Sequence, residues 1–323
     1  MRSVRHGAGL LSVVLMVMIA GCGSGGTATQ PLPPQPRPDR AWTAVLNEVR
    51  PDGTVSTQTA LRAFAVAFGP LPGISAPAGD RGTVVSGSAA LRWLVGHWAD
   101  ISAEQQAAAG RLVPELAGLQ PVAAVTPQQA VIGAAWREGP APRRSDTFYT
   151  TLAQQLATQL GTKIGRPLGI PVTAKFGPMA DAAAGAATGV YTASGGTSGN
   201  PGKCVVTVGP VGDRWDGDQL SHMMAHEVWH CFEGAIGGLA FYYHGPSWVI
   251  EGQAAWVGES LYPQGPYSAD WWWHYLTKPQ QQLFGRTYDA LGFYAQLSSS
   301  GVDVWSALAS MLGKANAAAF TAA

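Results

Sequence analysis

Apolar positions recur at the spacing of a helix face through much of this chain, and the breaks between those runs fall at glycine, proline and capping residues. Leu61, Phe64, Ala65 and Phe68 repeat at the 0, 3, 4, 7 interval, after Ser56 or Thr57 as a cap and before Gly69-Pro70 as a stop. Leu91, Leu94, Val95 and Trp98 repeat the pattern after Ser86 or Ser88. Ser102 with Gln105 spells a capping box, and Thr126-Pro127 supplies a cap and a first-turn proline for more helix toward Trp136. Residues 41–142 therefore read as a mainly α-helical region, with His97 as a core or boundary histidine.

A charged, proline-containing break at 137–146 ends that region. Ser145 then caps a helix carrying Phe148, Leu152, Leu156 and Leu160 on one face, closed by Gly161. Strands are predicted at 170–176, 189–193 and 203–208, separated by Gly, Ser, Asn and Pro. A further helix runs from Asp216 or Asp218 to Gly234, its start rich in aspartates that suit capping. The order helix, strands, helix predicts an α+β unit over residues 143–323.

The amino-terminal residues break the pattern. Arg2, Arg5 and His6 precede an apolar run at 10–20, which has the form of a secretory signal and is too short for the ~20 residues that span a bilayer. The run ends Ile19-Ala20-Gly21-Cys22, which resembles a bacterial lipobox. That resemblance implies a signal over residues 1–21, a lipid on Cys22, and attachment to a membrane outside the cytoplasm. Residues 22–40, rich in Gly, Ser, Thr and Pro, read as a stalk. With Cys22 set aside, Cys204 and Cys231 remain, either a disulfide in an oxidising compartment or two buried thiols.

Composition narrows the function. Only 12% of the chain is charged, against about 25% in a typical domain, with 20 basic and 20 acidic residues. Together with 12 tryptophans, this excludes a disordered chain and removes the basic footprint that nucleic acid requires.

One motif carries chemistry. His226-Glu227-Val228-Trp229-His230 lies on a segment predicted helical from its apolar spacing, so both imidazoles project from one face, one turn apart, toward a single ion. The intervening Glu227 can lie beside a metal-bound water. Catalytic zinc takes three protein ligands, and Glu251, in Trp248-Val249-Ile250-Glu251-Gly252-Gln253-Ala254, follows with room for a loop and a returning helix.

These residues resemble the gluzincin metallopeptidases, especially their peptidase-MA-like branch. The resemblance covers about residues 145–312 and implies a zincin-like catalytic fold and a Zn2+ site of His226, His230 and Glu251. It also implies Glu227 as general base, a peptide or protein substrate, and a sheet edge strand that receives it, expected at 203–208. Tyr288, in Arg286-Thr287-Tyr288-Asp289, resembles the family's oxyanion-stabilising tyrosine, with His274, Tyr262 and Tyr267 as rivals. Ala255 stands where thermolysin-like enzymes carry an acid, which leaves the partner of the ligand imidazoles open. Glu259 is a candidate for that partner, and His222 reads as a polar residue near the cleft. Trp271, Trp272 and Trp273 read as packing. The alternative function is a catalytically silent zincin scaffold that binds a protein or cell-wall partner.

Overall fold

The computed structural model describes residues 39–74, 82–119, 142–177, 179–180, 183–187, 201–263, 265 and 267–323. The signal, Cys22, the stalk up to residue 38, the helix toward Trp136 and the strand expected at 189–193 lie outside the described residues, while the last two stalk residues cap and begin the first helix.

Helix α1 (Arg40–Leu46) opens on Asp39, whose carboxylate accepts from the backbone N–H groups of Ala41 and Trp42. Helix α2 (Thr57–Phe68) is capped by Ser56 and stops at Gly69, with Leu61, Phe64, Ala65 and Phe68 buried, as the apolar spacing predicts. Strand β1 (Val84–Ser86) leads into helix α3 (Ser88–Gly96). The residue before α3 is Gly87, which has no side chain to cap with; of the two expected serines, Ser88 is the first residue of the helix and Ser86 Oγ accepts from its backbone N–H at 3.1 Å. Helix α4 (Ala103–Leu112) carries the complete Ser102–Gln105 capping box.

Helix α5 (Asp146–Lys163) is capped by Ser145 and continues past Gly161. It buries Tyr149, Ala153, Leu156 and Leu160, while Phe148 is 44% exposed. The inward stripe passes through Tyr149, whose hydroxyl donates to the Asp213 carboxylate. Three further strands follow, β2 (Val172–Phe176), β3 (Ala183–Ala187) and β4 (Cys204–Val208). The sheet is four-stranded in the order β1-β3-β4-β2. β2 runs parallel to β4, β1 parallel to β3, and β3 antiparallel to β4.

This order corrects the expected substrate edge. β4 has a neighbour on each side, so its backbone groups are taken up by the ladder, and among the described residues the edges are β1 and β2. The strand that encloses β4 is β3, a run of Ala and Gly with none of the β-branched or aromatic residues that signal a strand. Packing demands that smallness: a Cβ on Gly185 would stand 2.5 Å from Met223 Sδ. Because β1 belongs to the 41–142 region, that region and the rest share one sheet, and residues from Gln35 to Ala323 form one compact unit.

The remaining helices are α6 (Pro210–Arg214), α7 (Gly217–Gly237), α8 (Leu239–His244), α9 (Ser247–Leu261), α10 (Ser268–Thr277), α11 (Leu291–Ser299), α12 (Val304–Met311) and α13 (Asn316–Ala322). Helix α7 runs past Gly234 and ends at Gly238, whose φ of 82° suits glycine and turns the chain sharply into α8. The Asp216 carboxylate makes no cap bond to α7 and pairs with Arg144 instead. Helix α7 packs along α9 with Trp229 and Trp248 fully buried. Gln253 joins the layers, accepting from Trp229 Nε1 at 3.2 Å and donating to the Leu308 carbonyl at 3.2 Å.

Cys204 and Cys231 form a disulfide that ties the first residue of β4 to α7 beside His230. Alkylation without reductant is expected to label neither cysteine. Replacing both with alanine is expected to lower unfolding stability by about 3 kcal/mol, read from denaturant midpoints.

Candidate metal centre

The motif helix and α9 face each other across the core. His226 and His230 point from α7 toward Glu251 on α9, with Glu251 Oε2 at 3.7 Å from His226 Nε2 and 3.5 Å from His230 Nε2. One ligand atom from each residue falls within 4.8 Å of the others. All three residues are buried, and His226 Nε2, His230 Nε2 and Glu251 Oε2 have no hydrogen-bond partner. Buried polar atoms are normally satisfied, so three converging atoms without partners fit a cation between them. His226, His230 and Glu251 could hold a metal ion.

The surrounding groups hold these side chains in place. Glu233 lies three residues beyond His230, with Oε2 2.6 Å from His230 Nδ1. This bond directs Nε2 toward the cluster, as carboxylates commonly do for metal-binding histidines. Arg92, from α3, donates from Nη1 to Glu251 Oε1 at 2.9 Å. The base candidate Glu227 accepts from Ser88 Oγ at Oε2, 2.7 Å, and its Oε1 is buried without a partner. Tyr242 packs its ring 5.9 Å from that of His230, brought there by the turn at Gly238.

Tyr288 lies in the 3-10 turn Tyr288–Ala290, beside the cluster. Its ring stacks on His226 at 5.8 Å and on Trp271 at 5.2 Å, and its hydroxyl donates to the Ser86 carbonyl at 3.3 Å. Of its rivals, Tyr267 packs on Trp271, Tyr262 offers its carbonyl to His222 Nδ1 at 3.0 Å, and His274 belongs to α10. The three tryptophans divide: Trp271 is buried against Tyr288 and Trp273 is 65% exposed. Glu259 does not hold a ligand imidazole. It accepts from the Ser268 hydroxyl and stands 3.9 Å from His222.

Electrostatics couples these groups. Burial opposes charge on His230, but the carboxylates of Glu233 and Glu251 outweigh it and raise its pKa to about 10. Burial raises Glu233 to about 7 despite its neighbour His230. Burial also works against ionised Glu251, yet His230, His226 and Arg92 hold its carboxyl well below the usual range. Burial keeps the Tyr288 hydroxyl protonated well above its ordinary value. Metal at Nε2 requires the neutral imidazole, so loading at neutral pH is expected to release about one proton from His230. Affinity then falls as pH drops. Titration calorimetry in buffers of different ionisation enthalpy reads the proton directly, and a heat independent of buffer would contradict it.

Glycine beside the ligand sets a second expectation. A Cβ on Gly252 would stand 2.7 Å from Ala290 Cβ, so Gly252→Ala is expected to push away the turn carrying Tyr288. A cost of about 1–3 kcal/mol in thermal or denaturant unfolding is the expected result.

Four contributors escaped the sequence: Glu233, Arg92, Ser88 and Tyr242. Two left a signal. Glu233 is an acid three residues beyond His230 on the same helix, and Arg92 is the single charge in the apolar run of α3. Ser88 and Tyr242 left none, because only the fold brings them near. No family model, curated protein or solved structure matches this chain.

Proposed function

We propose that this chain is a zinc-dependent hydrolase of peptide bonds, built on the gluzincin plan that its two motifs resemble. The observation that carries the reading is the set of buried, unpartnered atoms on His226, His230 and Glu251, together with Glu227, which follows His226 on α7 and whose Oε1 is also buried without a partner. Two imidazoles and one carboxylate are a donor set suited to zinc, which supplies Lewis acidity to a carbonyl and acidity to a water molecule.

The protein groups supply the rest. Glu227 Oε1 takes a proton from the attacking water and returns it to the leaving amine. Tyr288, kept protonated by burial, turns its hydroxyl proton from the Ser86 carbonyl to the developing oxyanion. Extended substrate lies along β1, the edge strand whose Ser86 carbonyl meets the Tyr288 hydroxyl. The disulfide supports an oxidising, extracytoplasmic location, with Cys22 as the membrane anchor. Among the described residues no helix is long and apolar enough to cross a membrane.

One observation favours a second reading, a zincin-like scaffold that binds a protein or cell-wall partner without cleaving it. His226, Glu227, His230 and Glu251 are each at most 1% exposed, so substrate reaches them only after a rearrangement. Metal analysis together with cleavage of unfolded casein separates the two, comparing wild type with Glu227→Gln. Stoichiometric zinc with cleavage that the substitution removes supports the hydrolase. Zinc without cleavage of casein or of a broad peptide library supports the scaffold, and absence of metal binding refutes both.

A further inference from the structure

Ser88 and Arg92 stand one turn apart on α3, and each donates to one oxygen of one carboxylate at the metal centre. Ser88 Oγ meets Glu227 Oε2 at 2.7 Å across 139 residues of chain, and Arg92 Nη1 meets Glu251 Oε1 at 2.9 Å across 159. In each carboxylate the opposite oxygen, Glu227 Oε1 or Glu251 Oε2, is buried and has no hydrogen-bond partner. We propose that this face of α3 selects the working oxygen of both carboxylates: Arg92 restricts Glu251 to ligation through Oε2 alone, and Ser88 commits Glu227 to acting through Oε1. The inference rests on the metallopeptidase reading and extends it to two positioning residues from the 41–142 region.

A glutamate beside a dication can bind with one oxygen or chelate with both. Chelation fills the coordination position that a catalytic site keeps open. A guanidinium on Oε1 competes with the second mode, and Arg92 is well held to do so. Its Nε donates to the Tyr242 carbonyl and its Nη2 to the Gly245 carbonyl at 3.2 Å, both in the segment leading into α9. Its guanidinium also lies over the Tyr242 ring, 5.7 Å from the centroid. With three backbone or carboxylate acceptors in fixed directions, the planar fork has one orientation. Arg92 is 1% exposed, so its charge is tolerated there only against a buried carboxylate.

Ser88 is fixed by the same logic. Its oxygen accepts from the backbone N–H of Ala187 on β3 at 2.8 Å. The hydroxyl has one proton, and it goes to Glu227 Oε2. The sheet therefore orients the serine and the serine orients the base, which gives β3 and α3 a function inside the site.

A crystal structure of the wild-type protein loaded with Zn2+ tests both halves. Expected are Glu251 bound through Oε2 alone with Oε1 on Arg92, and Glu227 Oε2 still on Ser88. Chelation by both Glu251 oxygens overturns the role of Arg92, and a Glu227 carboxylate turned off Ser88 overturns the other. If Zn2+ does not bind the two histidines at all, the metallopeptidase reading fails and takes this inference with it.

Solution measurements add the dynamic side. Arg92→Lys keeps the charge but loses the fork, and is expected to bind Co2+ about 10- to 100-fold more weakly, with a visible spectrum of lower intensity as the coordination number rises. Wild-type affinity and spectrum in that variant would overturn its role. Ser88→Ala is expected to keep wild-type Co2+ affinity while kcat on casein falls about 10- to 100-fold at unchanged KM, and Ser88→Thr to restore it. Equal loss of Co2+ affinity and thermal stability in all three variants would mark α3 as packing alone and overturn the proposal.

Discussion

Glu227→Gln is expected to lower kcat by about 10²- to 10⁴-fold, the range for losing a general base, while zinc content stays at the wild-type level. Glutamine has almost the same shape, and its amide oxygen can still accept from Ser88 Oγ, so the fold around α3 and β3 is preserved. What is lost is the proton acceptor at Oε1, a buried atom with no other partner. The loss amounts to about 3–5 kcal/mol of transition-state stabilisation. Steady-state kinetics with parallel metal analysis decides it. Full activity in the variant would move the base elsewhere, and parallel loss of zinc would make Glu227 a ligand.

The second large effect concerns stability as well as metal. Glu251→Ala is expected to abolish metal binding and to destabilise the protein by about 3–5 kcal/mol, because Arg92 is left as an uncompensated buried charge at 1% exposure. An exposed ion pair would give less than about 1 kcal/mol, so the size of the effect reports the burial. Adding Arg92→Met to Glu251→Ala is expected to recover part of the stability but none of the metal affinity, since the two residues are in contact and their effects do not add. Denaturant unfolding of the four proteins in the cycle, without metal, reads the coupling. A loss under 1 kcal/mol for Glu251→Ala would show that water reaches Arg92 in solution.

The helices around the site were legible where the pattern was local. Ser56, Ser102 and Ser145 cap as their spacing predicts, and α7 forms because Leu220, Met223 and Met224 support a helix independently of the metal motif. The i, i+4 histidines follow at once, since helix geometry alone places them on one face. β3 was not legible, because Ala and Gly side chains chosen for close approach to α6 and α7 carry no strand preference. The substrate strand was expected at β4 because the family resemblance places it just before the motif helix, and the unread β3 is what gives β4 a neighbour on that side.

The amino-acid sequence by itself determined helices α2, α3, α5 and α7, the donor set His226, His230 and Glu251, and the acid Glu227 between the two histidines, because each depends on spacing within one helix or over the short stretch from α7 to α9. It left the pairing of Cys204 with Cys231 open. Tertiary structure alone decided that pairing, the inner position of β4, and the recruitment of Ser88 and Arg92 to the two carboxylates. The recruitment of Ser88 and Arg92 depends on contacts between residues 139 and 159 positions apart. Such contacts leave no periodicity in the chain, and burial enforces them: a carboxylate taken out of water must find a donor, and in this fold α3 is the element that carries one.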